Sequence, residues 1–217
     1  NNFGPNLSLS YSSLSRNYQS AAGYGFDLSV NSIYRSSKHG IAELYDRFDF
    51  AARLNGKYAE LVLVDPNQNL YMDKNGGFDR YFLENNSWRV QDTAGNSYFF
   101  GQDNPARQFD PDNPARTFQW FLQKAVSSHD DLIKYSYFFD KNQIYLDKIH
   151  YGFSGSDYLY EVNVDYQART NGSSSYQAGF NIQSNYLANK IYVNYKKDGN
   201  WRNFREYTLN YDALDMA

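Results

Sequence analysis

The chain has 217 residues, with 21 Lys and Arg against 24 Asp and Glu and a formal net charge of −3. This charge argues against a basic surface for nucleic acid or anionic membrane, and no apolar run reaches the ~18 residues of a membrane span. The absence of cysteine excludes disulfides, thiolate metal sites and a cysteine nucleophile. The 22 Tyr and 16 Phe favour strands, because aromatic side chains suit half-buried pleated surfaces.

Strand patterns fill the first half of the chain. Residues 7–12 alternate leucine or tyrosine with serine, which predicts a half-buried strand with its apolar face inward. Residues 59–64 (AELVLV) are apolar on both faces and predict a strand that is covered on both sides. Residues 88–100 predict a hairpin with its turn at 92–96.

The second half of the chain continues this alternation. Residues 170–179 are rich in Ser and Gly and predict a loop, and Asp198 with Gly199 predicts a tight hairpin turn. Three runs are each expected to share one face of a strand: Phe118, Trp120, Leu122 and Val126; Ile133, Tyr135, Tyr137 and Phe139; Tyr158, Tyr160, Val162, Val164 and Tyr166. No segment shows a capped helical stripe. The sequence therefore predicts an all-β fold of mostly antiparallel strands in consecutive hairpins, as a curved or sandwich-like sheet with little helix.

A pentapeptide, Asp-Asn-Pro-Ala-Arg, occurs twice, at 103–107 and at 112–116. We interpret this segment as a spacer between two strands. Asp110 and Asn113 are expected to accept hydrogen bonds from neighbouring backbone amides, and Arg116 to pair with a nearby carboxylate or carbonyl. A calcium site is the alternative, but an EF-hand loop also needs a third oxygen ligand, a central glycine and a final glutamate. Neither this segment nor the pair Asp46 and Asp49 supplies them.

The residues that usually carry catalysis lack the required spacing. His39, His129 and His150 do not form a metal-binding pattern. Ser156 lies where a nucleophile elbow has its second glycine, and no helical pattern follows it. No Glu-x-Glu pair is present. We therefore expect no catalytic, cofactor-binding or metal-binding residues, and no enzymatic activity.

The aromatic excess leaves a second function open, namely a carbohydrate-binding module that acts at a cell surface. Aromatic faces stack on sugar rings, and the candidates are Trp88, Trp120 and Trp201. Trp120 lies on the expected apolar face of its strand and is predicted to be in the core. Trp201 follows a turn and is predicted to be exposed.

A set of segments occurs in one order along nearly the whole chain. They are PNLSLSYSS, GYGFDLSVNSIYR, KHGI, YDRFDF, LNGKYAELVLV, FDRYF, WRV, GNSYFFG, DPDNPARTFQWFL, DLIKYSY and YLDKIHY. Together they resemble the start of the SpvB family, which includes the TcB components of bacterial insecticidal toxin complexes. The chain departs from the family at Phe26, where a tryptophan is usual, and it lacks the proline-rich opening before the first strand.

The resemblance implies an all-β N-terminal module over residues 1–217, as a fragment of a longer secreted toxin. In TcB proteins this region joins a β-propeller and tyrosine-rich repeat sheets in a hollow shell around a toxic polypeptide made by a partner. In SpvB a similar region precedes an actin-modifying ADP-ribosyltransferase domain, which lies outside the matching segment. The implied partners are the remaining domains of the same protein and a TcC-like toxic effector, with no nucleic acid and no cofactor.

Overall fold

The computed structural model describes residues 3–13 and 19–211, and these form an all-β structure with antiparallel pairing and little helix, as predicted. A short 3-10 helix covers Asn104–Ala106. The strands are β1 (Ser8–Tyr11), β2 (Gln19–Ser20), β3 (Gly23–Tyr24), β4 (Phe26–Ser29), β5 (Ser32–Arg35), β6 (Phe50–Leu54), β7 (Lys57–Asp65), β8 (Leu70–Asp73), β9 (Arg80–Glu84), β10 (Ser87–Gln91), β11 (Ser97–Phe100), β12 (Arg107–Asp110), β13 (Asn113–Val126), β14 (Leu132–Asp140), β15 (Gln143–Ser154), β16 (Asp157–Ser175), β17 (Ile182–Lys197) and β18 (Asn200–Thr208). The last residues of the chain, 212–217, lie outside the described part.

Eight strands close into a barrel. Strands β5 to β11 follow one another as antiparallel neighbours, and β13 then joins the two ends of this series. On β13, Trp120 pairs with Ile33 of β5, and Ala125 pairs with Tyr98 of β11. The sequence predicts the individual hairpins, but it gives no local signal for this closure.

Strand β13 is also the point at which a second sheet leaves the barrel. Its end, at Lys124–Val126, pairs with β14, and β14 to β18 continue as a meander of long strands. Two short ribbons, β1 with β4 and β2 with β3, lie apart from this sheet. The backbone of Ala188 on β17 donates to the Ala21 carbonyl at 2.7 Å, which fixes the N-terminal segment to the second sheet.

Aromatic side chains fill the barrel. Trp88 meets Phe50 and Tyr71 at centroid distances of 4.9 and 5.2 Å, and each ring is edge-on to its neighbour, which is a favoured geometry. Trp120 is buried beside them and donates its indole N–H to the Asn86 carbonyl at 2.8 Å. The predicted core position of Trp120 is confirmed.

The buried face that the sequence predicts for β13 is correct only in the middle of the strand. Trp120 and Leu122 share the main core, whereas Phe118 packs in a smaller cluster with Leu44, Ala178, Phe180 and Ile182. The pairing register shifts in β12 next to Phe109 and in β11 next to Phe100. These irregularities interrupt the two-residue period, so that Ala125 instead of Val126 is buried.

The other predicted faces hold only in part. Ile133, Tyr135 and Tyr137 are buried while Phe139 is exposed, and on β16 Val162 and Val164 are buried while Tyr160 is exposed. In both strands the burial is lost towards an end of the strand.

Three surface predictions need correction. Val62, Leu63 and Val64 of β7 are exposed, because no second layer of the described chain covers this part of the strand. All four residues of β1 are exposed, including Leu9 and Tyr11, so the strand is not half-buried as predicted. Residues 170–175 belong to β16 and only 176–179 lie outside a strand, because β17 pairs with Ser173 to Ser175 and outweighs the weak strand preference of serine.

The predicted tight turns are confirmed. The hairpin of β10 and β11 turns at residues 92–96. The hairpin of β17 and β18 turns at Asp198 and Gly199, with φ angles of 52° and 78°. Two successive positive φ angles match the right-handed twist of the flanking strands.

Candidate functional site

The structure places the three histidines in separate parts of the fold. His39 Nε2 lies 3.8 Å from the Asp49 carboxylate, and His129 lies in the turn between β13 and β14. His150 Nε2 lies 3.0 Å from Glu161, and its ring stacks on Tyr158 at 4.0 Å. Over residues 3–13 and 19–211, no group of three or more His, Asp or Glu side chains is arranged to hold a metal ion.

Ser156 lies in the two-residue turn between β15 and β16. A nucleophile elbow joins a strand to a helix, whereas this turn joins two strands of one antiparallel hairpin. The interpretation of the segment as a Gly/Ser turn is confirmed.

Asp49 belongs to a network of ion pairs. Lys38 Nζ lies 2.9 Å from Asp49 and 2.8 Å from Glu60, and Lys74 lies 3.1 Å from Glu60. Partial burial acts to raise the pKa of Asp49, but the hydrogen bond and the charge of Lys38 outweigh it and hold the pKa below its usual value. This network ties the segment before β6 to β7 and β8, and the cations occupy the Asp49 oxygens that a calcium ion would need.

The two copies of the pentapeptide have different structures. In the first copy, Ala106 is fully buried in the main core, and Arg107 begins β12 and donates to the backbone carbonyls of Gly101 and Gln102. The second copy begins with Asp112 in the turn and continues as the first four residues of β13, where Ala115 is exposed. The spacer interpretation is therefore wrong for the first copy, because that copy contributes a core residue and a strand.

The expected local contacts of the second copy are present. The Asp110 carboxylate accepts from the Asp112 N–H at 3.0 Å, and the Asn113 side chain accepts from the Ala115 N–H at 3.3 Å. The Arg116 guanidinium lies 3.8 Å from the Asp110 carboxylate and 5.5 Å from the centre of the Tyr45 ring.

Of the three tryptophans, only Trp201 is at the surface. Trp88 and Trp120 are inside the barrel, where no sugar can reach them. Trp201 lies on β18, with its ring 5.6 Å from that of Tyr158 and 5.9 Å from Lys196 Nζ. Its predicted exposure is confirmed.

Strand β18 gives the second sheet an exposed aromatic edge. Every residue of β18 is exposed, including Trp201 at 42%, Phe204 at 68% and Tyr207 at 50%. Within the described chain, β18 pairs with β17 alone. Free backbone groups beside exposed apolar side chains are typical of an edge that another segment covers.

A cleft of about 820 Å³, which we name the ribbon cleft, lies beside the barrel. It lies between the β1–β4 ribbon, the barrel strands β5 to β7 and the start of β15. Arg53 of the barrel and Asp27 of the ribbon form an ion pair of 3.1 Å across it. No local pattern predicts this site, because its walls come from segments that are more than a hundred residues apart.

The inner end of the ribbon cleft is fixed by Arg35. Its guanidinium donates to the carbonyls of Thr117 and Arg47, each at 2.9 Å, and lies 5.1 Å from the centre of the Phe50 ring. Burial lowers the pKa of Arg35, although it stays a cation at neutral pH. Arg35 therefore joins the barrel core to the wall of the cleft.

Part of the chain matches a known protein family. Residues 78–151 match the family model described as Salmonella virulence plasmid 65kDa B protein (SpvB). No curated protein matches the chain at a significant level. Within the described residues, no helix has the length and apolar character needed to cross a membrane.

Solved structures share the fold over almost all of the chain. The N-terminal domain of the effector protein SpvB from Salmonella typhimurium strain LT2 matches with a TM-score of 0.76 at 20% identity, over 97% of this chain and 95% of that one. TcdB2-TccC3 matches with a TM-score of 0.82 at 21% identity, and the Photorhabdus luminescens Tc holotoxin pore with 0.81 at 20%. The match to TcdB2-TccC3 covers 97% of this chain but only 14% of that chain. The match to the Tc holotoxin pore covers 96% of this chain and 13% of that chain. The chain thus matches the SpvB family in sequence over residues 78–151 and has the fold of the SpvB N-terminal domain.

Proposed function

We propose that the chain is a non-catalytic structural module of a secreted bacterial toxin and helps to enclose and deliver a toxic polypeptide made by a partner. Residues 1–217 are then one module of a longer protein. The observation that carries this proposal is the likeness to TcdB2-TccC3, in which the same fold makes up a small part of a much longer toxin chain.

The exposed edge of the second sheet supports this role. A module that forms part of a wall must continue into its neighbours, and β18 presents free backbone groups and aromatic side chains along its length. The closed barrel has a dense aromatic interior and gives the module a rigid body.

The positions of the titratable side chains support a role without catalysis. General acid–base chemistry needs a base within hydrogen-bonding reach of the group that it deprotonates. His150 is engaged with Glu161 and stacked on Tyr158, and His39 lies beside an ion-pair network.

Protease protection tests the enclosing role. The full-length protein that contains this chain is produced with and without its toxic partner, and protease is added to both the complex and the isolated partner. We expect the partner to be degraded alone and to survive in the complex. Equal degradation in the two samples would contradict the proposal.

A separate assay tests the absence of catalysis. The 217-residue chain is incubated with actin and labelled NAD, because the related SpvB region precedes an ADP-ribosyltransferase domain. We expect no transfer of label to actin. Transfer that requires the chain would show that the module is an enzyme.

The carbohydrate-binding alternative now depends on Trp201, which is exposed beside Tyr158 and Lys196. A glycan array probed with the native chain and with Trp201→Ala separates the two functions. If Trp201 lies on an edge that protein covers, neither chain binds a glycan. Tight binding that is lost in Trp201→Ala would favour the carbohydrate-binding module.

A further inference from the structure

A small polar cavity, which we name the amide cavity, lies where β12 and β13 meet the second sheet. Its volume is about 40 Å³, and four glutamines, three serines and an isoleucine form its wall. Six of these residues come from five strands: Gln108 (β12), Gln119 (β13), Gln143 (β15), Ser173 and Ser175 (β16), and Ser184 (β17). None of the lining residues is charged, so the polar groups of the wall are neutral amides and hydroxyls.

Backbone pairing holds four of these side chains in position. Gln108 is the ladder partner of Gln119, and Ser173 is the ladder partner of Ser184. The side chains of directly paired residues lie on one face, with their Cβ atoms about 4.5–5.5 Å apart. The amide cavity is thus built from a glutamine pair of one ladder and a serine pair of another.

The amide nitrogens of the glutamines are already engaged. Gln108 Nε2 donates to the Asn142 carbonyl at 2.6 Å, and Gln143 Nε2 donates to the Ile144 carbonyl at 2.9 Å. Because a backbone carbonyl only accepts hydrogen bonds, these contacts fix which amide atom faces it. Gln119 Nε2 likewise donates to a serine hydroxyl of β5 at 2.9 Å. The Oε1 atoms of these three glutamines are therefore the amide atoms left for the cavity.

Ser184 has a buried hydroxyl without a good partner. The residue is 6% exposed, and its hydroxyl makes no hydrogen bond of normal geometry within the described chain. The neighbouring Tyr145 hydroxyl already accepts from the backbone amides of Asn185 and Tyr186 at 3.0 and 3.3 Å, so the contact between the two hydroxyls is weak. A buried polar group in this state is unfavourable, and a ligand in the cavity gains by contacting it.

The chemistry of the wall favours a monovalent cation. Three amide oxygens and three hydroxyl oxygens offer lone pairs to one ion, and hard cations take about six to eight oxygen ligands. A divalent ion needs carboxylates to compensate its charge, and the lining residues include none. A volume of about 40 Å³ admits a bare ion but not its full hydration shell, so the wall must replace most of the water. Neutral oxygens replace the hydration shell of K⁺ in the same way in potassium channels.

We propose that the amide cavity binds K⁺ through the Oε1 atoms of its glutamines and the hydroxyls of its serines. The bound ion joins β12 and β13 to β15, β16 and β17, so it stabilises the position of the second sheet. The expectation that the chain has no metal-binding residues concerned histidines and carboxylates, whereas these ligands are neutral. The site does not depend on the proposed enclosing role.

Thermal unfolding in different salts tests the proposal. The melting temperature of the 217-residue chain is measured in KCl and in tetramethylammonium chloride, each at about 0.1 M, so that screening is equal while the larger cation is excluded from the cavity. A ligand that binds only the folded chain raises its stability. We expect a melting temperature about 3 °C or more higher in KCl, with a rise that saturates as KCl increases. Equal melting temperatures in the two salts would overturn the proposal.

Two matched pairs of variants locate the site. Ser184→Ala and Gln143→Leu each remove one ligand oxygen, whereas Ser174→Ala and Gln183→Leu change residues that alternate with the lining residues of β16 and β17 and lie on the opposite face. We expect the KCl concentration at half of the rise to increase about tenfold in the first two variants and to stay unchanged in the controls. Equal responses within both pairs would contradict the assignment to the cavity.

Ser184→Ala also separates loss of the ion from loss of the fold. In tetramethylammonium chloride this variant should melt no lower than the native chain, because it removes a buried hydroxyl without a good partner. A lower melting temperature there would mean that the hydroxyl is satisfied within the chain, which would contradict its assignment as a ligand.

Anomalous scattering distinguishes an ion from water. In crystals grown with rubidium chloride, which supplies a heavier substitute for K⁺, we expect an anomalous peak between Gln108, Gln119 and Ser184. Density for water alone at this position would overturn the proposal, even if KCl raised the melting temperature, because the salt would then act elsewhere on the chain.

Discussion

Gly101 and Trp120 meet where β13 closes the barrel. Gly101 has a φ of +58°, and a Cβ atom added there would overlap the indole of Trp120. The Gly101 N–H also donates to the Phe121 carbonyl at 2.9 Å. A residue without a side chain is therefore required at this point, both for the backbone conformation and for the close approach of the tryptophan.

Gly101→Ala is expected to destabilise the fold more than Gly56→Ala. Both glycines have a positive φ, but nothing lies within 4 Å of a Cβ at Gly56. The difference between the two variants therefore isolates the overlap with Trp120, which we expect to cost about 1–3 kcal/mol of unfolding free energy. Urea denaturation of both variants measures it, and equal losses would show that Trp120 moves aside freely.

Single residues could be predicted from the sequence where local pattern decides their environment. The alternation around Trp120 predicts its position in the core, and the turn before Trp201 predicts its exposure at the surface. Leu9 shows where this fails, because the period of two identifies the two faces of a strand but not whether either face is covered. That choice depends on the barrel and the second sheet, which are formed by residues far along the chain.

At the scale of elements, the repeated pentapeptide shows how context decides structure. In the first copy three of the five residues form a 3-10 turn before β12, whereas in the second copy four of the five residues belong to β13. Their partners differ, since Arg107 pairs with Trp120 in the ladder, whereas Asn113 pairs with Asp110. Local propensity is weak enough for these contacts to override it.

The two alanines of the pentapeptide give a matched test. Ala106 is fully buried and Ala115 is exposed, although both follow Asp-Asn-Pro. Ala106→Asp places an unpaired charge in the core, so we expect a loss of about 3–5 kcal/mol in unfolding free energy. Ala115→Asp is expected to change it by less than about 0.5 kcal/mol. Thermal and urea denaturation compare them, and two nearly neutral variants would restore the spacer interpretation.

The ion pairs around Lys38 make stability depend on pH. Lys38 and Lys74 hold the pKa of Glu60 below its usual value through hydrogen bonds, and Lys38 does the same for Asp49 against the effect of burial. Groups with a lowered pKa stabilise the fold above their unfolded values, about 3.9 for Asp and 4.3 for Glu, and lose this contribution as the pH falls. The native chain should therefore lose stability from about pH 5 downward.

Lys38→Met is expected to reduce this dependence. Without the cation, the carboxylates titrate closer to their unfolded values, so the unfolding free energy should fall less steeply below about pH 5. Lys197→Met removes an exposed lysine outside the network and serves as the control. Urea denaturation at a series of pH values gives the two slopes, and identical slopes would show that the Lys38 pairs are not coupled to folding.

Hairpins were the elements that the sequence predicted best. Asp198 with Gly199 has the backbone preference that a tight turn needs, and such preferences act over two or three residues. Residues 170–175 were assigned wrongly for the opposite reason. Their Ser and Gly composition favours a loop, but twelve residue pairs along β16 and β17 form one ladder that includes Ser173 to Ser175.

At the scale of the whole molecule, the barrel and the ribbon cleft lay beyond local pattern. Closure requires β13 to pair with both β5 and β11, so residues 33 and 120 must meet across the chain. The cleft likewise collects residues from both halves of the sequence. The resemblance to the SpvB family supplied the expected fold where periodicity could not, and the solved structures confirm that fold.

The proposed role makes a further claim about the surface of the module. Trp201, Phe204 and Tyr207 are exposed on β18, and an edge of this kind favours association with another strand or sheet. If the chain is part of a wall, these side chains become buried in the longer protein.

A cryo-EM map of the full-length protein with its toxic partner tests the structural role most directly. We predict that the barrel and the β14–β18 sheet form part of a closed wall, that β18 is covered by a neighbouring sheet, and that the partner polypeptide lies inside. A map in which the module projects into solvent with β18 uncovered, or in which the partner lies outside any enclosure, would contradict the account.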